Sequence, residues 1–171
     1  MDRPSDPQPV LLYYALYRIC SKEKEKTMDR ARTEELLQQL NAAGSVSDLE
    51  TYADITLKEN GCSSFPDYLL EHLRQTDMSP GTLFQKANIQ QNYGYQILSG
   101  LKNPGRDKVL SLGLALQLSL EDMQRALTLA GKSQLYPRIR RDSILIFSIN
   151  RKLTVDEAND LLYEMRESPL E

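Results

Sequence analysis

The chain of 171 residues contains no tryptophan, one histidine and two cysteines, and these scarcities exclude whole classes of chemistry. Cys20 and Cys62 stand far apart, with no Cys-x-x-Cys pair and no histidine beside either. Neither a disulfide framework nor a zinc site follows from that text, and both thiols are expected to be reduced and structural. The lone His72, within Tyr68-Leu69-Leu70-Glu71-His72-Leu73, reads as a packed or surface helix residue rather than a ligand or general base. No nucleophile with its base, spaced carboxylate pair, phosphate loop or metal set is present, so neither an enzyme nor a cofactor is expected.

Long apolar runs and alternating runs are missing too. Val10 to Cys20 is too short to span a bilayer and no small-residue cleavage site follows it, which makes the cytoplasm the expected location and gives no membrane partner. With no alternation there is no basis for a sheet, whereas apolar residues recur at three- and four-residue intervals. The fold class expected is all-α. The length suits one ordinary domain, or a small domain with helical additions, and permits a real core.

Four segments can be distinguished. Residues 1–27 combine a Pro-rich start, an aromatic run and a Lys/Glu alternation. Lys24-Glu25 can be encoded as AAG GAG, which resembles a bacterial ribosome-binding sequence at a suitable distance before Met28, so translation is expected to begin naturally at Met28. The competing reading makes Val10 to Cys20 a genuine helix. Residues 28–62 read as an acidic helical hairpin, its second helix opened by the capping box Ser47-Asp-Leu-Glu50 and stopped by Gly61. Its apolar positions Leu36, Leu37, Leu40, Leu49, Tyr52 and Leu57 need a partner surface.

Residues 63–131 read as five helices. Ser63-Ser64 precedes one with Pro66 in its first turn, Ser79 caps a short one with Pro80 at its first position, and Asn88 suits the turn that follows because it tolerates left-handed backbone. Gln90 or its neighbour starts the next helix, which ends at Gly100, and Lys102-Asn-Pro-Gly105 is a loop. Val109, Leu112, Leu116 and Leu118 make a fourth stripe and Ser119 caps a fifth helix. Residues 132–171 form a helix pair: Ser143 to Asn150, then a helix opened by the capping box Thr154-Val-Asp-Glu157 with Ala158, Leu161, Leu162 and Met165 inward.

The net charge of -3 argues against a protein that coats nucleic acid, but charge is unevenly spread. Between Met78 and Leu120 the only acid is Asp107, against Lys86, Lys102, Arg106 and Lys108. A locally basic face on an acidic chain suits limited contact with phosphates; chance clustering is the bland alternative.

Two short helices joined by a tight turn, the second rich in amides, resemble the phage-repressor or Cro-like helix-turn-helix domain of many bacterial regulators. The likeness runs from Leu69 to about Ala130 and is gapless from Ser79 through Pro104, carried by Leu83, Lys86, Ile89, Ile97, Gly100 and Asn103-Pro104, with Leu114-Ala-Leu-Gln-Leu-Ser-Leu-Glu-Asp122 matching the closing text. In two places the chain departs from the family pattern. Phe84 stands where a small Ala is usual and Gly94 where Ile or Val is usual, an exchange expected to conserve packed volume.

The resemblance implies a sequence-specific transcriptional regulator, repressor-like and noncatalytic, that binds double-stranded DNA as a homodimer on two half-sites. Carried over by position, Gln91, Asn92 and Gln96 read bases, for which amides suit adenine edges, while Lys86, Gln90, Lys102 and Arg106 meet phosphates. Tyr93 and Tyr95 add phosphate or thymine-methyl contacts, or one of them packs near Phe84. The alternative is an adaptor that uses the same fold and its tyrosines to bind a protein partner. Arg138, Arg140 and Arg141 are open to three readings: phosphate contact, a solvated helix start, or ion pairs with the acidic hairpin.

Overall fold

The computed structural model describes residues 33–56 and 64–170, and all the regular structure in them is helical. The chain divides into two compact units at Cys62/Ser63. The expectations for residues 1–27, for Cys20 and Cys62, for Leu57 and for the stop at Gly61 lie outside the described residues. No helix among those described is long and apolar enough to cross a membrane.

In the first unit, α1 spans Thr33–Ala42 and α2 spans Val46–Thr51, continuing as a π-helical turn over Tyr52–Thr56. The cap of α2 lies two residues earlier than expected. Ser45, not Ser47, accepts the Asp48 N–H at 3.1 Å, and Asp48 reaches back to the Gly44 N–H at 3.0 Å. Ser45-x-x-Asp48 and Ser47-x-x-Glu50 are equivalent local patterns, and the earlier one closes both hydrogen bonds. Leu37, Val46 and Leu49 are at least half exposed in this unit, with Leu36 half-buried.

The second unit contains α3 (Phe65–Gln75), α4 (Pro80–Lys86), α5 (Gln91–Leu98), α6 (Arg106–Ala115), α7 (Leu120–Leu129), α8 (Arg140–Asn150) and α9 (Val155–Glu164). Ser64, Ser79, Ser119 and Thr154 each accept the backbone N–H three residues on, which satisfies an otherwise orphaned donor at the start of α3, α4, α7 and α9. At Thr154 the Glu157 carboxylate completes the expected box. By contrast, α8 begins at Arg140 rather than Ser143. The Ser143 hydroxyl donates back to the carbonyls of Ile139 and Arg140, as a residue inside a helix does.

Helix α6 is the axis of the core: every residue from Val109 to Leu116 is buried, which is how a helix apolar on all sides must sit. α4 and α7 pack on α6, α3 lies against α5 and α7, and the C-terminal pair closes on the same body, α8 against α7 and α9 against α6. The 132–171 segment is therefore part of the compact unit that starts at Ser63. Two crossed ion pairs fasten it. Arg106 at the start of α6 grips Asp142 in α8 at 3.0 and 2.9 Å, and Arg141 beside Asp142 grips Asp107 beside Arg106 at 3.1 and 2.9 Å. Lys152, in the turn between α8 and α9, donates to the carbonyls of Gln117 and Leu118 just past the end of α6. Of the four positions expected to face inward from α9, Ala158 and Leu162 are buried and Leu161 half-buried, but Met165 is 40% exposed because it is the residue that ends the helix.

α4 and α5 are joined by a turn in which Asn88 adopts φ 53° and the Ile89 N–H returns to the Phe84 carbonyl at 2.9 Å. The pair is locked by one close approach. A Cβ on Gly94 would lie 2.5 Å from Phe84 Cδ1, so the Phe84 ring occupies the space that a side chain at 94 would need. The expected exchange of volume is present in the fold. Gly94→Ala is expected to lower stability by about 1–3 kcal/mol through overpacking, despite a gain of about 1 kcal/mol in helix propensity. In a urea-denaturation cycle with Phe84→Leu, the two changes should be strongly non-additive; additivity, or a more stable Gly94→Ala, would overturn this fit.

Between α3 and α7, the Tyr68 hydroxyl donates to Asp122 at 3.0 Å, His72 packs edge-on to the Tyr68 ring and Arg125 lies over it. Burial and the Asp122 carboxylate push the phenol well above its ordinary value. Burial holds the His72 imidazole below its ordinary 6.5, against the opposing pull of Asp122 and Glu71. As pH falls through about 6.5 the unfolded chain thus takes up a proton before the folded one, and stability declines until pH passes below the folded value. The lowered Asp122 and Glu157 carboxyls act only in the more acidic carboxylate range. Urea midpoints should drop between pH 7.5 and 5.5, and His72→Gln should flatten that part of the curve; an equal slope in the variant would contradict it.

Candidate nucleic-acid interface

Helix α5 is short and half buried. Gly94, Ile97 and Leu98 face the core, leaving Asn92 and Gln96, one turn apart, on the opposite side with Gln91 at the first helical position. Gln90, Gln91, Asn92 and Gln96 are all exposed, as are Lys86 near the end of α4 and Lys102 in the loop after α5. A shallow cleft between the first turn of α4 and the start of α5 is lined by Ser79, Gly81, Thr82, Gln85, Ile89 and Gln91. A Cβ on Gly81 would lie 3.7 Å from Gln91 Nε2, which places the Gln91 amide over that first turn.

The amides of the second unit differ in what they bond, and those of Gln75, Asn103 and Asn150, outside α4 and α5, make no hydrogen bond to the described residues. Across the second unit Asn88, Gln117, Gln124, Gln134 and Asn159 are committed: Asn88 donates to Asp156 at 2.7 Å, Gln124 bonds both backbone groups of Leu135, and Asn159 accepts the Leu170 N–H. The side-chain amides of Gln85, Gln90, Gln91, Asn92 and Gln96 make no hydrogen bond to the described residues. Their donors and acceptors point to solvent as a set, on a surface where α4 and α5 contribute no acid.

Arg106 does not belong to that surface. Its Nε donates to the Ser133 carbonyl, Nη2 to the Gln134 carbonyl, and both terminal nitrogens to the buried Asp142, so the guanidinium expected to meet phosphate is consumed inside the fold. Arg141 is likewise engaged by Asp107 and by the carbonyls of Ser168 and Pro169, and Arg140 by the Met165 carbonyl and Glu167. Arg138 is exposed. Tyr95, one of the two tyrosines considered for DNA, lies half buried and edge-on to Phe84, ring centres 5.2 Å apart; Tyr93 is half buried, with no ring partner among the described residues. Three further polar residues, not singled out by the sequence pattern, border the amides: Thr82 and Gln85, one turn apart on the exposed side of α4, and Ser99, one turn beyond Gln96. Their i, i+3 spacing on a face without apolar residues is the signal that marks them.

Among the described residues no group of three His, Cys, Asp or Glu side chains is placed to hold a metal. Arg106→Met should destabilise the protein by about 3 kcal/mol, at the lower end for a broken buried pair because the arginine keeps 24% exposure while Asp142 keeps 3%. Chemical denaturation checks this, and a change below about 1 kcal/mol would show that the clamp contributes little. Comparisons with protein-family models, with curated proteins and with solved structures find no match to this chain.

Proposed function

We propose that the chain is a sequence-specific, noncatalytic DNA-binding transcriptional regulator in which α4, the Asn88 turn and α5 act as a repressor-like helix-turn-helix within a five-helix core, α3 to α7. The observation that carries this reading is the run of amides at 85, 90, 91, 92 and 96, gathered on and beside α4 and α5, exposed and without side-chain hydrogen bonds to the described residues. An amide presents a donor and an acceptor in one plane, the arrangement that a base edge in the major groove complements. Gln91, Asn92 and Gln96 are the base-reading residues, and Gln90, Lys86 and Lys102 the backbone contacts. Arg106 is left out because its donors serve Asp142.

The electrostatics suit a narrow footprint. The single acid between Met78 and Leu120, Asp107, is paired with Arg141, while Lys86 and Lys102 are exposed at either side of α5. With so few cations, phosphate contact alone gives weak binding, and specificity must come from the bases. A homodimer on two half-sites supplies the remaining affinity, and the likeness to bacterial repressors goes with a cytoplasmic location. The adaptor reading needs an apolar patch around Tyr93 and Tyr95. Both are half buried and Tyr95 is packed on Phe84, which weighs against it.

Selection from random duplexes should recover a motif with two-fold symmetry. On that motif, Lys102→Ala is expected to weaken binding to every duplex and to reduce the slope of log affinity against log salt by about 0.9 for each phosphate it no longer neutralises. Gln91→Ala should instead remove about 1–3 kcal/mol of discrimination at one base pair and leave the slope unchanged. Enrichment of no motif at low salt would refute DNA reading.

A further inference from the structure

We infer that the outer face of α8 is where two copies of this chain meet, packed antiparallel about Ser143. The homodimer proposed above, on which this rests, thereby gains a surface, and on helices outside the helix-turn-helix. Tyr136 just before α8, then Ile139, Ser143, Ile146 and Phe147, recur at intervals of three and four along one side. Tyr136, Ile139 and Phe147 each keep about half of their surface in water, although the opposite side of the same helix is buried through Ile144, Leu145 and Ile149. Scattered apolar residues are ordinary on a surface, but an aligned set with aromatics in it and arginines at its margins has the composition of an interface.

The stripe is complementary to itself. Ile139 and Phe147 stand four residues to either side of Ser143, so a two-fold axis there sets Ile139 of each copy against Phe147 of the other. Ser143 is small enough for close approach, and its hydroxyl already donates to the Ile139 and Arg140 carbonyls at 2.9 and 3.0 Å, so covering it strands no polar group. The charges match as well. Along residues 136–151 the only acid is the buried Asp142, while Arg138, Arg140 and Arg151 are exposed; α9 carries four exposed acids, Asp156, Glu157, Asp160 and Glu164, and no cation. Arg140 donates to the Met165 carbonyl at 3.0 Å, so α9 ends where α8 begins. An antiparallel copy therefore turns Arg138 and Arg140 toward Asp156 and Glu157 of the second copy, and Arg151 toward Glu164 of the second copy. A parallel copy sets Arg140 against Arg140. The acids of α9 also repel an anionic lipid surface or nucleic acid, which leaves a second copy as the occupant that meets both signs.

Sedimentation velocity of the full-length protein without DNA should show a concentration-dependent species of twice the 19.5 kDa chain mass. Phe147→Glu and Ile139→Glu should each weaken that association by about 30-fold, because each places an unpaired charge in the seam twice per dimer. Both positions are half exposed, and thermal melting checks that the variants fold. In a Cys20→Ser, Cys62→Ser background, Ile139→Cys mixed with Phe147→Cys should be joined by a short bismaleimide faster than either variant alone, a readout that introduces no charge. A monomer at every concentration, a dimer indifferent to both glutamates, or faster joining within Ile139→Cys alone, as parallel packing gives, would overturn the α8 interface. A monomer that still selects a DNA motif overturns it and leaves DNA reading in place; an α8 dimer that selects no motif upholds it and refutes DNA reading.

Discussion

The Phe84 ring stands where a side chain on residue 94 would stand, and the position of α5 follows from that contact. A helix of eight residues has too few turns to be stable alone, so its place depends on what it packs against. Here its inner face consists of Gly94, Ile97 and Leu98, and the missing side chain at 94 lets a large ring from α4 enter. Tyr95 then closes over the edge of the same ring. An aromatic seated in a backbone notch is held in both directions, since either a larger residue at 94 or a smaller one at 84 leaves a clash or a void. The glycine that weakens helix propensity in α5 is thus also what fixes α5 to α4.

That local fit is supported by a body built around α6. Burial of α6 from Val109 to Leu116 requires apolar cover on all sides, and α9 adds to the cover that α4 and α7 supply while α8 packs on α7. The crossed pairs Arg106–Asp142 and Arg141–Asp107 set the position of α8 along the start of α6. Asn88 in the turn before α5 donates to Asp156 at the start of α9, so the C-terminal pair also touches the turn that aims the amide face. The charged groups nearest the proposed DNA surface are largely spent on this architecture, which is why Lys86 and Lys102 stand out on it.

How far the fold is legible in the sequence depends on how local each determinant is. Caps at Ser64, Ser79, Ser119 and Thr154 are readable because a side-chain oxygen reaches a backbone N–H only three residues on. The compensation between Phe84 and Gly94 is readable only against the family pattern that both residues depart from. Ser45 and Ser47 present the same spacing to an acid, and propensity cannot separate them. The start of α8 is hidden for the opposite reason: Ile139 precedes it without any side-chain cap, so nothing marks the position. Arg106 misleads because its partner lies 36 residues away, and nothing within its own loop distinguishes a phosphate contact from a buried clamp. At the candidate site the amides themselves are legible. That they stand together on one exposed face, without partners among the described residues, is a property of the folded arrangement, as is the turning of Tyr95 onto Phe84.

A rigid α4–α5 unit that presents free amides to the bases of duplex DNA can be tested most directly by titrating the 15N-labelled full-length protein with a selected duplex and following the side-chain amide resonances. The account predicts that the NH2 signals of Gln91, Asn92 and Gln96 shift and become protected from exchange, while Gln124 and the Arg106 Nε–H stay where they are. Shifts confined to the C-terminal helix pair, with those three amides unmoved, would contradict it.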